Sequence, residues 1–556
     1  MVHCKLFFTL PFVVISFLVL ISWKGHGYAE IHYTFFRYSL ISRGYPEILA
    51  DTPWRVDPGQ PIPVVCIVKD ADRFPVELRR ITVRCRMQGG ETQEKCLLDT
   101  PLYISDHYWN MLYFTELFGR SKGSAFPGNV EITVEIEFMR NGIKKTVISD
   151  NLPGLSHAPF RVFAGSHRLP AFDGWYCGDP HYHSDMTQDQ IEFGAPVEVA
   201  VAMAKAIGLS WLAVTDHSYD LDRAIGEYFE HDSKLARWMK VRKDAELVNS
   251  RDSFFVIPAE EISCGNCKSH NVHLLAFDTP HFIPGSGDGV KRGLNKRPDL
   301  TLRQCINRIN SVGGFAYAAH PEEGNGFLGT LLLNRDHWRD SDYAQGGYSG
   351  LQLWNGVPGK EFNRSYEKWI QLLLEGRKLY ILGGNDAHGD FNRCRKVKYP
   401  NTRLSESYDN IFGKVRTYAY CETHLSAKGI LDAMRNGRTV VTNGPLAILQ
   451  ARNDKGQIAN IGDDIAGREF TLMINSCSSD EFGSIDRIDL YQGDFTNGQE
   501  QLERTFVPQK GENTHFFTYR ITHRNRGYVR LEATSSARGN QYRCLTNPIW
   551  LSGLIA

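Results

Sequence analysis

The sequence predicts an α/β fold, with a central region of alternating strands and helices over about residues 171–445 and β-rich stretches on either side. Two patterns and the composition predict it. In the centre, helical stretches alternate with short apolar strands, the rhythm of parallel βα units. At both ends, apolar residues recur at every second position instead, as in half-buried strands. The composition is that of a globular protein, 42% hydrophobic and 23% charged over 556 residues. That excludes a disordered, collagenous or coiled-coil chain and leaves room for two to four domains.

The elements follow in order. Lys5 precedes an apolar run from Leu6 to Trp23, and Gly27-Tyr28-Ala29 fits the small-residue rule for signal cleavage. Residues 1–29 therefore read as a signal peptide, with an uncleaved membrane anchor as the alternative. Either reading exports the body, to a secreted or periplasmic location; after cleavage no stable membrane span is expected. Residues 30–170 read as an N-terminal β-rich domain, a β-sandwich by its strand spacing, with strands at Pro63–Val68, Ile81–Cys85 and Val130–Ile136. In the centre, helices are expected at Pro196–Ala206, around 233–249, at Leu302–Val312 and at Tyr366–Glu375. Strands are expected at Trp211–Thr215, Phe254–Ile257, Phe315–Ala318 and Leu379–Leu382, and a loop over Pro284–Pro298. Residues 446–556 read as a C-terminal β-rich domain, with strands at Phe470–Asn475 and Tyr528–Ala533.

Charge and cysteines narrow the classes further. Lys+Arg and Asp+Glu each total 63, so the formal charge is zero and nucleic acid is not an expected partner. Export permits disulfides. Without Cys4 eleven cysteines remain, so at least one stays free or pairs between chains. Cys85 and Cys96 flank an expected hairpin and are a candidate bridge; Cys264 and Cys267 read as a local disulfide or two plain thiols.

Six fragments carry histidine and carboxylate together: Asp179-Pro180-His181-Tyr182-His183, Val214-Thr215-Asp216-His217, Pro258-Ala259-Glu260-Glu261, His270-Asn271-Val272-His273, Ala319-His320-Pro321 and Asn385-Asp386-Ala387-His388. Each is weak alone. Two histidines two apart on an extended segment point the same way, but such pairs are common on surfaces. Most of the fragments, however, sit just after an apolar strand, where βα proteins place active sites. Imidazole with carboxylate is the ligand set of hydrolytic zinc, manganese or iron. Together they predict a metal site.

This motif series, from DPHYHSD through AVTDHS, PAEEIS, HNVHLLAF and AAHPE to GNDAHG, resembles that of the PHP (polymerase and histidinol phosphatase) superfamily, nearest its CehA/McbA-like metallohydrolase branch. The resemblance covers about 172–445 well and the tail loosely. It implies a distorted (β/α)7 PHP-type barrel flanked by the β-rich domains. It also implies two or three divalent ions (Mn, Zn or Fe), with two expected here: His181, His183, Glu261 and Asp386 on one, with Glu261 bridging to a second held by His273 and His320. Asp216, His217 and His388 would serve a third position or the substrate. Glu260 in place of Glu261, and His270 in place of His273, stay open. The trinuclear pattern's histidine just past the HxH pair is missing from Ser184–Asp189.

The expected activity is hydrolysis of a phosphoester, or of a carboxyl or carbamate ester, in a small molecule, by a metal-activated water. Asp216 or His217 would move the proton. Asp179 and Asn385 would orient ligating histidines. Arg393, Arg395 and Lys396 are candidate cations for a phosphate, or solvated loop charge; Trp354 is a pocket wall or core. The alternative is a secreted glycan- or protein-binding module with a metal-stabilised, non-catalytic barrel.

Overall fold

A computed structural model describes residues 26–27, 44–115, 128–152, 154–188, 193–251, 253–285, 297–324, 330, 334–398, 403–509 and 511–553. The expected signal peptide and its cleavage site lie outside these residues, apart from His26 and Gly27, which pair with Lys398 and Val397. Most of the expected Pro284–Pro298 loop lies outside them too. No described helix is long and apolar enough to cross a membrane.

The local elements form close to where the side-chain pattern places them. Helices run over Val197–Ile207, Ala236–Arg251, Leu302–Ser311 and Lys360–Leu374. Gly208, at φ 100°, ends the first with a left-handed cap, and Thr301 with Gln304 forms a capping box on the third. Strands run over Trp211–Val214, Phe255–Pro258, Phe315–Ala318 and Tyr380–Gly384.

The expected distorted (β/α)7 barrel is not what they build. Of the described residues 46% are in strands and only 15% in helices, and the central strands divide between two sheets. In one, Phe255–Pro258, Trp211–Val214 and Trp175–His183 run parallel. That sheet then continues antiparallel through Arg416–Tyr420 and Thr439–Thr442 into the C-terminal strands. In the other, Glu260–Gly265 and Asn271–Phe277 form a hairpin, and Phe315–Ala318 joins antiparallel before two parallel strands follow. The physical reason is connection length. A parallel crossover needs a dozen residues or more, and only Asn266–His270 separate the first two strands of that sheet.

The N-terminal strands make two sheets, one around Val76–Met87 and Gly128–Arg140, the other of Glu47–Asp51, Ile62–Lys69 and Tyr108–Thr115. Ile48, Val64 and Cys66 from the second pack with Ile81, Val83 and Val134 from the first in one buried core. The expected Cys85–Cys96 bridge is absent. Cys96 pairs with Thr82 and Cys85 with Gln93, three positions apart along the hairpin, and both thiols are free. Cys264, buried, and Cys267, exposed, are not joined by a disulfide.

Candidate metal centre

His181 and His183 lie at the end of the strand Trp175–His183, and its two-residue period turns both rings to one side. The adjacent chain approaches closely here: a Cβ on Gly384 would come within 3.0 Å of His181 Cβ and of Asp179 Oδ1. The same alternation separates Glu260 from Glu261 on Glu260–Gly265. Glu261 faces the histidines. Glu260 points away, accepting hydrogen bonds from Trp238 Nε1 (2.9 Å), Ile283 N (3.2 Å) and Ser218 Oγ (3.3 Å). His273, on Asn271–Phe277, sets Nδ1 2.7 Å from Glu261 Oε1. His270 sits in the preceding turn against Asp336. Glu261 and His273 are therefore the members of the site. His320 and Asp386 enter from the loops after two strands, both with left-handed backbone, φ 27° and 51°.

These side chains converge in a buried space. His183 Nε2 lies 2.9 Å and His181 Nε2 3.2 Å from Asp386 Oδ1. Glu261 Oε2 lies 3.4 Å from His181 Nε2, 3.3 Å from His183 Nε2 and 3.0 Å from His217 Nδ1. His320 Nε2 is 3.1 Å from Glu261 Oε1. The ring of His388 stacks on His183 at 4.1 Å. Three sets have ligand atoms within 4.8 Å of one another: His181, His183, Glu261 and Asp386; His217, Glu261 and His273; and His183, His217 and His388.

The outer hydrogen bonds fix which ring nitrogens face inward. Gln352 Nε2 donates to Asn355 Oδ1 (3.2 Å), so its Oε1 accepts from His181 Nδ1–H at 2.7 Å. The Thr187 hydroxyl donates to Asp216 Oδ1 (2.8 Å), so it accepts from His183 Nδ1–H at 3.2 Å. Both assignments leave Nε2 with a lone pair pointing inward. Yet the two Nε2 atoms lie only 3.1 Å apart, and Glu261 Oε2 takes no aligned hydrogen bond. Facing lone pairs and an orphaned buried carboxylate oxygen repel unless a proton or a metal cation sits among them. These buried His, Glu and Asp groups could hold a metal ion.

Protonated rings meet the same demand for positive charge: burial and His217 disfavour the His183 cation, but Asp386 and Glu261 raise it above its usual 6.5. Burial pushes the Glu261 carboxyl up, but the imidazoles of His273, His181 and His217 outweigh it and hold the group well below its usual 4.5. Burial is likewise outweighed at Asp386 by His181 and His183. Burial disfavours the charged His320 ring, but Glu323 and Glu261 raise it well above 6.5.

Several expectations are revised. Asp216 is not placed to move a proton: both oxygens are engaged, by Ser184 N and Oγ (2.7 Å each) and by Thr187. It holds His183 through Thr187 instead. Asp179 and Asn385 touch no histidine ring; Asp179 accepts from Asn385 Nδ2 (2.6 Å) and from the backbone N–H of His181 (3.2 Å) and Gly413 (3.1 Å). Arg393 and Arg395 are neither solvated nor at the centre. They sit in the seam with the N-terminal strands, Arg393 buried and bonded to Ala158, Arg395 half-buried and paired with Asp390 and Asp51. Lys396's side chain lies outside the described residues. Trp354 is core, packed on Phe362.

Three residues were not foreseen. Gln352 and Thr187 orient the paired histidines, and Arg335 places Nη2 3.0 Å from His273 Nε2. The alternation in Gly350–Asn355, with Gln352 among apolar neighbours, is the one signal that could have marked Gln352. A cavity of about 30 Å3 lies beside His273, His320, Arg335 and Asp386. An open cleft of about 380 Å3 reaches His320 and Glu323 from Asn355, Phe362 and Asn410.

No family model matches this chain, and no curated protein matches it. Among solved structures, a β-glucuronidase from Bacteroides uniformis aligns over 93% of this chain and 62% of its own at 10% identity, TM-score 0.18. An FMN-binding β-glucuronidase from Facaelibacterium prausnitzii aligns over 93% and 75% at 11% identity, TM-score 0.17. A putative β-galactosidase from Bacteroides fragilis aligns over 91% and 73% at 10% identity, TM-score 0.16. The chain thus spans less than two thirds of the first of these. At TM-scores of this size the alignments say nothing about this chain's fold or chemistry.

Proposed function

We propose that the chain is an exported metal-dependent hydrolase that cleaves a phosphoester, or a carboxyl or carbamate ester, in a small molecule. One observation carries this reading: His181, His183, Glu261 and Asp386, from three separate segments, bring their ligand atoms within 4.8 Å of one another, buried, with the two imidazole lone pairs face to face. The motif series shared with the PHP superfamily supports it independently of any barrel.

A bound divalent cation supplies Lewis acidity there and lowers the pKa of a coordinated water towards about 7. The chain's own residues do the rest. Gln352 and Thr187 hold the His181 and His183 rings with Nε2 inward. Glu261 ties the histidines on both sides of the centre through its two oxygens. His217, beside Glu261 and near the reacting volume, is the candidate for carrying the proton. The Arg335 guanidinium, anchored next to His273, offers positive charge to a developing oxyanion or a phosphoryl oxygen. The cleft at His320 and Glu323 admits the substrate.

The test is elemental analysis of the purified protein followed by assay on p-nitrophenyl phosphate and on carboxyl and carbamate esters with added Mn2+ or Zn2+. Stoichiometric metal with turnover of any one class is expected. A metal-loaded protein inert towards all of them would hand the case to the binding-module alternative.

A further inference from the structure

A second cavity, of about 480 Å3, lies between the N-terminal strands and two central helices, and it is independent of the metal reading. Its size is that of a small-molecule pocket. Asp106, His107 and Tyr108 form one wall, and the helices Val197–Ile207 and Ala236–Arg251 form the other. Four carboxylates line it, those of Asp106, Asp185, Glu198 and Asp244, against the one ammonium of Lys240.

The decisive group is Asp185. It is only 8% exposed, it lines the cavity, and among the described residues no donor of another residue reaches its carboxylate; its own backbone N–H does. Lys240 acts on it by charge but bonds to Asp244. A buried carboxylate short of donors is unfavourable and is stabilised by a cationic partner. Beside the polar Asn110 and Gln188, the lining has an aliphatic surface of Met186, Val197, Ile225, Leu247 and Val248, with Ile225 and Leu247 exposed at 56% and 44%. A bare metal ion would use neither that volume nor that surface; a carbon chain ending in an ammonium uses both.

We propose that this cavity binds a small aliphatic amine, with its ammonium seated on Asp185. The site also reaches the metal centre through the chain. Asp185 stands between His183 and Thr187, whose hydroxyl braces the His183 ring, so a guest drawing on Asp185 pulls on the turn that holds a candidate ligand.

Calorimetric titration of the full chain with 1,5-diaminopentane tests this, with 1,5-pentanediol and CaCl2 as controls. Saturable one-to-one binding of the diamine is expected, with at least tenfold weaker binding of the diol. Asp185→Asn should weaken diamine binding at least tenfold. Lys240→Met, which removes the competing ammonium, should strengthen it, so the proposal stays exposed even where Asp185→Asn fails to fold. Silence with the diamine, equal binding of the diol, calcium binding in its place, or weaker binding by Lys240→Met each overturns it. None of these results depends on whether the metal centre hydrolyses anything.

Discussion

Two buried charge clusters in this molecule differ in how their hydrogen bonds close. Around Arg530 every guanidinium nitrogen meets an acceptor. Its Nε and Nη2 reach the two oxygens of Glu500 at 2.7 Å each, Nη1 reaches Glu532 Oε1 at 2.7 Å, and Nη2 reaches Tyr366 OH at 2.6 Å. Arg543 closes on Glu532 Oε2 at 2.8 Å. That cluster is complete in itself and pins the helix Lys360–Leu374 to the C-terminal strands. Around Glu261 the outer face is just as well satisfied, but the inner face presents acceptor to acceptor. Burial and charge are common to both; what distinguishes a site from a brace is an inward face that only an outside cation completes.

The largest expected effect follows from emptying that inward face. Glu261→Gln should cost about 10^3-fold or more in hydrolysis, about 4 kcal/mol, and lower the metal content measured on the folded protein. Full metal retention in this variant would break the contrast. Arg530→Ala should act on the other cluster, lowering unfolding stability by about 3–5 kcal/mol in denaturant titration and leaving the metal-to-protein ratio unchanged. Equal metal loss there would mean that the two clusters are not separate.

Gln352→Leu should weaken metal affinity about 10–100-fold by freeing the His181 ring, while Gln352→Glu should restore most of it. Competition with a chromogenic chelator reads both.

Acid should separate the clusters in sequence. Metal binding needs unprotonated imidazoles, and His320 is raised well above 6.5. Metal affinity should therefore already be falling, by about tenfold per pH unit for each proton displaced, as pH drops through neutrality. Burial pushes Glu532 up, but Arg530 and Tyr366 bring it below its usual 4.5. Its folded pKa is depressed, so its stabilisation is present above about 4.5 and is lost only as pH falls through the lower, folded value. Metal should leave well before the fold fails; simultaneous loss would contradict this. The smallest effect on the centre belongs to Glu260→Gln. Both oxygens of Glu260 accept hydrogen bonds, so the amide sets its nitrogen against a donor, and stability should fall by about 1–3 kcal/mol with metal content intact.

By itself the sequence determined the local elements and the cast of the centre. Alternation with period two put His181 with His183 on one face, and the strand-then-acid rhythm marked the Glu260–Glu261, His270–His273, His320 and Asp386–His388 fragments, because both depend only on neighbours along the chain. It could not choose Glu261 over Glu260 or His273 over His270, since either choice satisfies a period-two pattern until the strand has a partner. Only the tertiary structure made that choice. It also split the central strands between two sheets instead of closing a barrel, set Arg393 and Arg395 in the seam with the N-terminal strands, turned Asp216 into a brace, and brought Gln352 and Arg335 to the rings. Strand partners and hydrogen-bond partners such as Gln352 and His181 lie 171 residues apart, and which distant groups meet is settled by packing rather than by local pattern.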